Sequence, residues 1–253
     1  MRRRELLQAT GMGAVAMAAP QVAWAFRPST KWVLEQAVGM RYRLGIRSLA
    51  IEADVRRYDT GDDGFEGQES TWVMTPTSLR RETARPDGQD LLLLTKKKQR
   101  IEYGGSKQTK KRRPDFISDF FTMGEPLARI DASKRLFAAL KAMGVDDKVV
   151  SYGRHDGRVM YVLGAKAFED DKPSIWIDKK SLQLSRLVQV KKAADGKLSR
   201  VDTKLLGYGS PEGGAWWPKT WEVHADGKLV KQATLRSVEK NATVDKGRFA
   251  LPK

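Results

Sequence analysis

Two histidines, His155 and His224, and no cysteine are the whole supply of imidazole and thiolate ligands in this 253-residue chain, so it cannot build a His-rich or Cys-rich metal site. Each histidine falls beside a turn or on an expected strand, where a surface position is the default. Nucleophile and phosphate motifs are missing as well: there is no Gly-x-Ser-x-Gly elbow, no Walker loop and no His-Glu-x-x-His helix. Gly207-Tyr208-Gly209 leading to Gly213 has the outline of a dinucleotide fingerprint. Glu212 occupies the third glycine position, however, and Trp216-Trp217-Pro218 follows, so the stretch reads as a loop between strands. Asp62-Asp63 and Asp170-Asp171 lie in turn-like stretches, where carboxylates favour the backbone conformation without further duty. We expect no catalytic residue, no metal and no cofactor, and a protein that binds rather than transforms.

Two features are dense enough to carry binding. Lys96, Lys97, Lys98, Arg100, Lys107, Lys110, Lys111, Arg112 and Arg113 crowd one short segment, relieved only by Glu102. As a hairpin or loop, this segment can turn most of its charge to one surface, and each cation near an anionic membrane contributes about 1 kcal/mol. The same lysines on an edge strand would equally prevent sheets from pairing edge to edge. The second feature is aromatic: Phe116, Ile117, Phe120 and Phe121, with Trp176, Trp216, Trp217 and Trp221 further on. These residues either fill a core or wall an apolar cavity of the kind small molecules occupy. Burying an acyl chain gains about 0.8 kcal/mol per methylene, so a lipid crossing water needs such a space.

The elements that must position these groups are punctuated by five Asp-Gly pairs, at Asp63-Gly64, Asp87-Gly88, Asp156-Gly157, Asp195-Gly196 and Asp226-Gly227. Asp-Gly suits type I′ hairpin turns, whose two central residues need positive φ. The flanking segments predict strand pairs at 51–58 with 71–74, 79–83 with 91–95, 149–153 with 159–163, 184–190 with 198–206, and 217–223 with 229–238. About ten antiparallel strands must curl. Ser29 or Thr30 can cap a first helix carrying Trp32, Val33, Gln36, Ala37 and Met40. A short aromatic helix follows Pro114-Asp115, and a third runs from about Ala132 to Met143, with Gly144 just past its end. Helices bunched against an antiparallel sheet make the α+β arrangement, with two or three helices covering one face of a strongly curved, unclosed barrel.

The N-terminus supplies an address. Arg2, Arg3, Arg4 and Glu5 precede an apolar run from Ala9 to Ala19 and then Ala23-Trp24-Ala25, the three regions of a cleavable export signal. Arg3-Arg4-Glu5-Leu6-Leu7-Gln8 is similar to the twin-arginine motif, favoured here over an ordinary secretory signal. Cleavage after Ala25 would leave Phe26 first, and 26–253 as a single domain. The chain's formal charge of +16 survives loss of the signal almost intact. Export removes nucleic acid from consideration and leaves phospholipid headgroups, lipopolysaccharide, acidic glycans or an acidic protein as anionic partners. No later apolar run reaches the roughly 20 residues of a membrane span.

The C-terminal hundred residues carry a family resemblance. Ser174-Ile175-Trp176-Ile177-Asp178, a leucine-rich strand ending near Arg186, Leu206-Gly207-Tyr208, Trp217-Pro218-Lys219, and Val244-Asp245 before Phe249-Ala250-Leu251-Pro252 resemble the outer-membrane lipoprotein-sorting proteins of the LolA-like superfamily. The resemblance implies an unclosed β-barrel with a helical lid over an apolar cavity, in a periplasmic protein that makes and breaks no bonds. It carries over no functional residue. Two readings stay open. One is a carrier or sensor for a lipid or the acyl chains of a lipoprotein, with Phe116, Ile117, Phe120, Phe121, Trp176, Trp217 and Trp221 forming cavity or lid and the basic segment approaching an anionic membrane or a membrane transporter. The other is a protein-interaction module in envelope stress signalling or export-machine assembly.

Overall fold

The computed structural model describes residues 28–58, 64–192 and 198–251; the expected signal, with Ala23, Ala25 and Phe26, lies outside them, as does the Asp195-Gly196 turn. Three helices cover a single antiparallel sheet. Helix α1 (Thr30–Arg43) starts where the Ser29 side chain accepts a hydrogen bond from the Trp32 amide at 3.2 Å. Helix α2 (Phe116–Thr122) is capped the same way by Asp115, and α3 (Arg129–Ala142) ends before Gly144, whose φ of 75° gives the left-handed exit.

The sheet has thirteen strands where about ten were expected. In chain order they are β1 (Ser48–Arg57), β2 (Phe65–Met74), β3 (Ser78–Arg85), β4 (Gly88–Leu94), β5 (Lys98–Tyr103) and β6 (Ser106–Lys111) before the second helix; β7 (Val150–His155), β8 (Arg158–Leu163), β9 (Ser174–Asp178), β10 (Leu184–Lys192), β11 (Leu198–Leu206), β12 (Thr220–Ala225) and β13 (Lys228–Lys240) follow the third. All five expected pairs form. The three additions are β9 and the hairpin β5–β6, which turns on Gly104 and Gly105 at φ 54° and 79°. That Gly-Gly turn supplies the same positive φ as Asp-Gly. Asp156-Gly157 and Asp226-Gly227 do take positive φ at both residues, whereas at Asp87-Gly88 only the glycine does, at 150°.

The spatial order is β6-β5-β4-β3-β2-β1-β13-β12-β11-β10-β9-β8-β7, so the first and last strands meet in the middle and β6 and β7 are free edges. The chain between those two edges is α2 and α3, which therefore crosses the mouth of the curved sheet and covers its concave face. Residues alternate across each strand. On β1 and β3, Leu49, Ile51 and Leu79 face inward to the main core, with Val33, Leu34 and Ala37 of α1 and Leu136, Ala139 and Leu140 of α3. The convex face carries its own cover: Asp245 caps a 3-10 turn (Lys246–Phe249), and Phe249 packs on Leu91 and Leu93.

Candidate functional site

Strand register lays two rows of side chains across the concave face of the β1–β6 wing. One runs Leu49, Val73, Leu79, Leu94, Gln99, Lys110, changing from buried aliphatic to exposed amine towards the edge. The other runs Ile51, Thr71, Arg81, Leu92, Ile101, Gln108. Helix α2 roofs these rows without filling the space beneath, and a cavity of about 290 Å³ remains. Its walls are Leu79, Leu92, Leu94 and Ile101, its roof Ile117 and Phe121, its inner end Trp221. Polar atoms come from Arg81 at the floor and from Gln99, Asp115 and Ser118 around it.

Six of the seven residues expected at a cavity or lid pack together in one cluster, and three of them, Ile117, Phe121 and Trp221, border the cavity. Phe121 lies 4.5 Å from Trp217 and 5.8 Å from Trp221 between ring centroids, and Phe120 meets Phe121 edge-on at 5.5 Å. Phe116 and Phe120 point into the packed interior and have 1% and 0% exposure, so Ile117 and Phe121 are the helix residues that border the cavity. Trp176 does not join them. It sits on the convex face with Met160 and Val162, under the Arg186 guanidinium at 4.9 Å. All five residues of β9 are buried, so its sequence offers no alternation to assign the inward face.

Two arrangements that the sequence reading missed hold the roof. Arg41 on α1 is 1% exposed; its Nη2 donates to the Phe121 carbonyl at 3.2 Å and its Nη1 to the Trp216 carbonyl at 3.1 Å. Its guanidinium also lies 5.5 Å from the Phe120 and Phe121 ring centres, and no carboxylate among the described residues pairs with it. Burial lowers its pKa to about 10 and pushes the nearby buried Tyr208 hydroxyl up. The second arrangement is a carboxylate on α2 shared by two arginines. Asp119, 3% exposed, accepts from Arg112 Nη2 at 2.5 Å and from Arg135 Nε on α3 at 2.8 Å. Arg112 also reaches the carbonyls of Thr77 and Thr95, and Arg135 that of Pro76. Nothing in the spacing of these arginines separates them from solvated ones.

That pairing withdraws Arg112 from the cationic surface, since its side chain is only 8% exposed. Arg100 is likewise engaged, with Glu102 at 2.6 Å. Lys96, Lys97, Lys98, Lys107, Lys110, Lys111 and Arg113 stay exposed, and none of them forms an ion pair with a described residue. Lys98 and Lys111 are direct cross-strand partners, a like-charge opposition that destabilises the hairpin unless an anion relieves it. The lysines border an open groove of about 700 Å³ beside the cavity.

His155 and His224 stand apart from this cavity. Burial holds His155 below its ordinary pKa next to Trp176 on the convex side, and His224 pairs with Glu222 at 3.0 Å. Among the described residues, no three His, Cys, Asp or Glu side chains are grouped to hold a metal ion. No described helix is long and apolar enough to cross a membrane.

A wide unclosed sheet, a helical cover and an apolar space between them define the LolA-like fold, and comparison with solved structures agrees. The chain superposes on a LolA superfamily protein of Nitrosomonas europaea with a TM-score of 0.52 at 11% identity, over 87% of this chain and 97% of that one. A DUF1329 family protein of Desulfovibrio piger gives 0.51 at 12% identity, over 88% and 98%. A Vibrio parahaemolyticus domain assigned to outer membrane lipoprotein sorting gives 0.51 at 11%, over 87% and 95%. No model of a known family matches the chain, and no curated protein sequence does.

Proposed function

We propose that this protein is a periplasmic carrier or sensor that receives an acyl chain, of a lipid or of a lipoprotein, in the cavity beneath α2. The apolar cavity itself carries the reading: about 290 Å³ walled by aliphatic side chains and roofed by Ile117 and Phe121 is near the lower end of small-molecule sites and suits one chain. No bond is made or broken; binding is apolar burial, and release requires movement of the roof. The Arg41 contacts to the Phe121 and Trp216 carbonyls add polar ties to a roof whose Phe116, Phe120 and Phe121 pack in the core, so movement of the roof breaks both. The leading residues support export, with the twin-arginine route favoured, and removal of residues 1–25. The exposed lysines of β5–β6 support docking at an anionic membrane surface or an acidic transporter.

Native mass spectrometry with lipid extraction, on the mature protein purified from its own envelope without detergent, tests the reading. We expect a stoichiometric lipid or acylated adduct. A clean polypeptide mass, together with failure of the delipidated protein to take up any acyl amphiphile, would count against it.

A further inference from the structure

The floor of the cavity holds more positive than negative charge. Glu69, 6% exposed, receives Arg81 Nε at 3.2 Å, Lys231 Nζ at 2.5 Å and the Thr83 hydroxyl at 3.1 Å, so one carboxylate faces two cations. Burial by itself would raise the Glu69 pKa, but Arg81 and Lys231 hold it below the ordinary carboxylate value, so Glu69 is ionised. Burial lowers the Lys231 pKa, in part opposed by Glu69. Arg81 spends its Nε on Glu69 and on the Thr71 hydroxyl at 3.3 Å. Its two Nη atoms have no hydrogen-bond partner among the described residues, while the guanidinium borders the cavity and its Cζ lies 4.9 Å over the Trp221 ring. A guanidinium held from one side, with its fork open to an apolar space, presents the geometry that carboxylate and phosphate oxygens accept bidentately.

Resting on the reading of the cavity as an acyl-chain site, we infer that its ligand is an anionic amphiphile bound head inward: a carboxylate or phosphate head on the Arg81 Nη atoms, and the chain running past Leu92, Leu94 and Ile101 towards the β5 edge. A neutral head would leave the Arg81 fork with water as its only partner, and an isolated hydrocarbon would gain nothing from it. The Trp221 ring beneath the guanidinium fixes its plane, which lowers the cost of ordering it on binding.

The test uses the mature, delipidated protein and two matched pairs of probes, palmitate against methyl palmitate and 1-palmitoylglycerol 3-phosphate against 1-palmitoylglycerol. Affinities are read by tryptophan fluorescence below the micellar range. The charged member of at least one pair should bind tighter by about tenfold or more, the scale of a hydrogen bond to a charged group. Which pair shows the gap separates a carboxylate head from a phosphate head. Arg81→Met, which keeps an apolar stem, should close the gap between the charged and the neutral member of each pair. Replacing Lys98, Lys110 and Lys111 by Gln should leave the gap intact. Equal binding of charged and neutral probes to the wild type would overturn the inference while leaving the cavity reading standing, and needs no variant to fold. So would a gap that survives Arg81→Met and disappears with the lysine variant. Failure of all four probes would overturn the cavity reading itself.

Discussion

Arg112, the first residue after the basic hairpin, donates to Asp119 in the middle of the covering helix at 2.5 Å, so the exit of that hairpin is tied to the roof of the cavity through one carboxylate. Arg135 on α3 completes the junction. The segment after the hairpin, α2 and α3 are thereby tied by charge, in addition to the apolar packing of Phe116 and Phe120 with Leu136 and Leu140 that α2 and α3 share. Removing the shared partner of a buried charge cluster costs about 3–5 kcal/mol, because the uncompensated cations remain. Asp119→Asn should therefore lower unfolding free energy by about 3 kcal/mol in urea titration, whereas Asp131→Asn, at an exposed neighbouring site, should change it by less than about 0.5 kcal/mol.

The roof residues divide by what they touch. Ile117 is half-buried and borders the cavity, so Ile117→Asp should leave the fold intact by circular dichroism and abolish retention of an acyl probe. Phe120 has 0% exposure and packs beside Arg41 and Phe121, so Phe120→Ala should cost about 3–5 kcal/mol of stability before any effect on retention is read. Normal retention in Ile117→Asp would move the binding site elsewhere.

Stability should depend on pH through Glu69. Its carboxyl is held below the ordinary value in the folded state, so it contributes stability that is fully present above the unfolded carboxylate value of about 4.3 and is lost as pH falls through the lower folded value. Compared with Glu69→Gln, the wild type should be more stable by about 3 kcal/mol at pH 7, and the two curves should converge in acid. Urea titrations from pH 7 to pH 3 check the sign as well as the size.

Surface charge should act on binding and not on folding. Replacing Lys97, Lys98, Lys110 and Lys111 together by Gln should weaken adsorption to anionic vesicles by about 1 kcal/mol per lysine and flatten its salt dependence. Thermal stability should hold or rise, because Lys98 and Lys111 oppose each other across the strands. Sedimentation of protein with vesicles at several salt concentrations measures this.

Much of the fold is legible in the sequence because its turns are chemically explicit. Asp87-Gly88, Asp156-Gly157 and Asp226-Gly227 each stand between two strands, and Ser29, Asp115 and Gly144 mark helix ends by capping. The basic segment is legible only as a hairpin or loop: Gly104-Gly105 is as good a turn as Asp-Gly, but the surrounding lysines carry no apolar alternation to fix the strands, and all six residues of β6 are exposed. The aromatic helix reads directly from its i, i+4 spacing, yet spacing cannot say that Trp176 faces the other way on a strand buried on both sides. Least legible are Arg41, Glu69 and Arg81. A charged residue on a helix or strand looks solvated in sequence, and only the curvature that closes the sheet over it reveals that water has been removed.

Because β1 pairs with β13, the two wings of the sheet are sewn together by segments far apart in sequence: the Arg47 amide donates to the side chain of Asn241, 194 residues away. Closing so long a loop carries a large entropic cost that local hairpins do not share, so each wing can zip from its own turns while the seam waits. During synthesis the inner edge of β1 stays uncovered until β13 has been made. A truncation that removes β13 would thus leave two half-sheets, each with a bare edge, and aggregation rather than a smaller folded protein is the expected result.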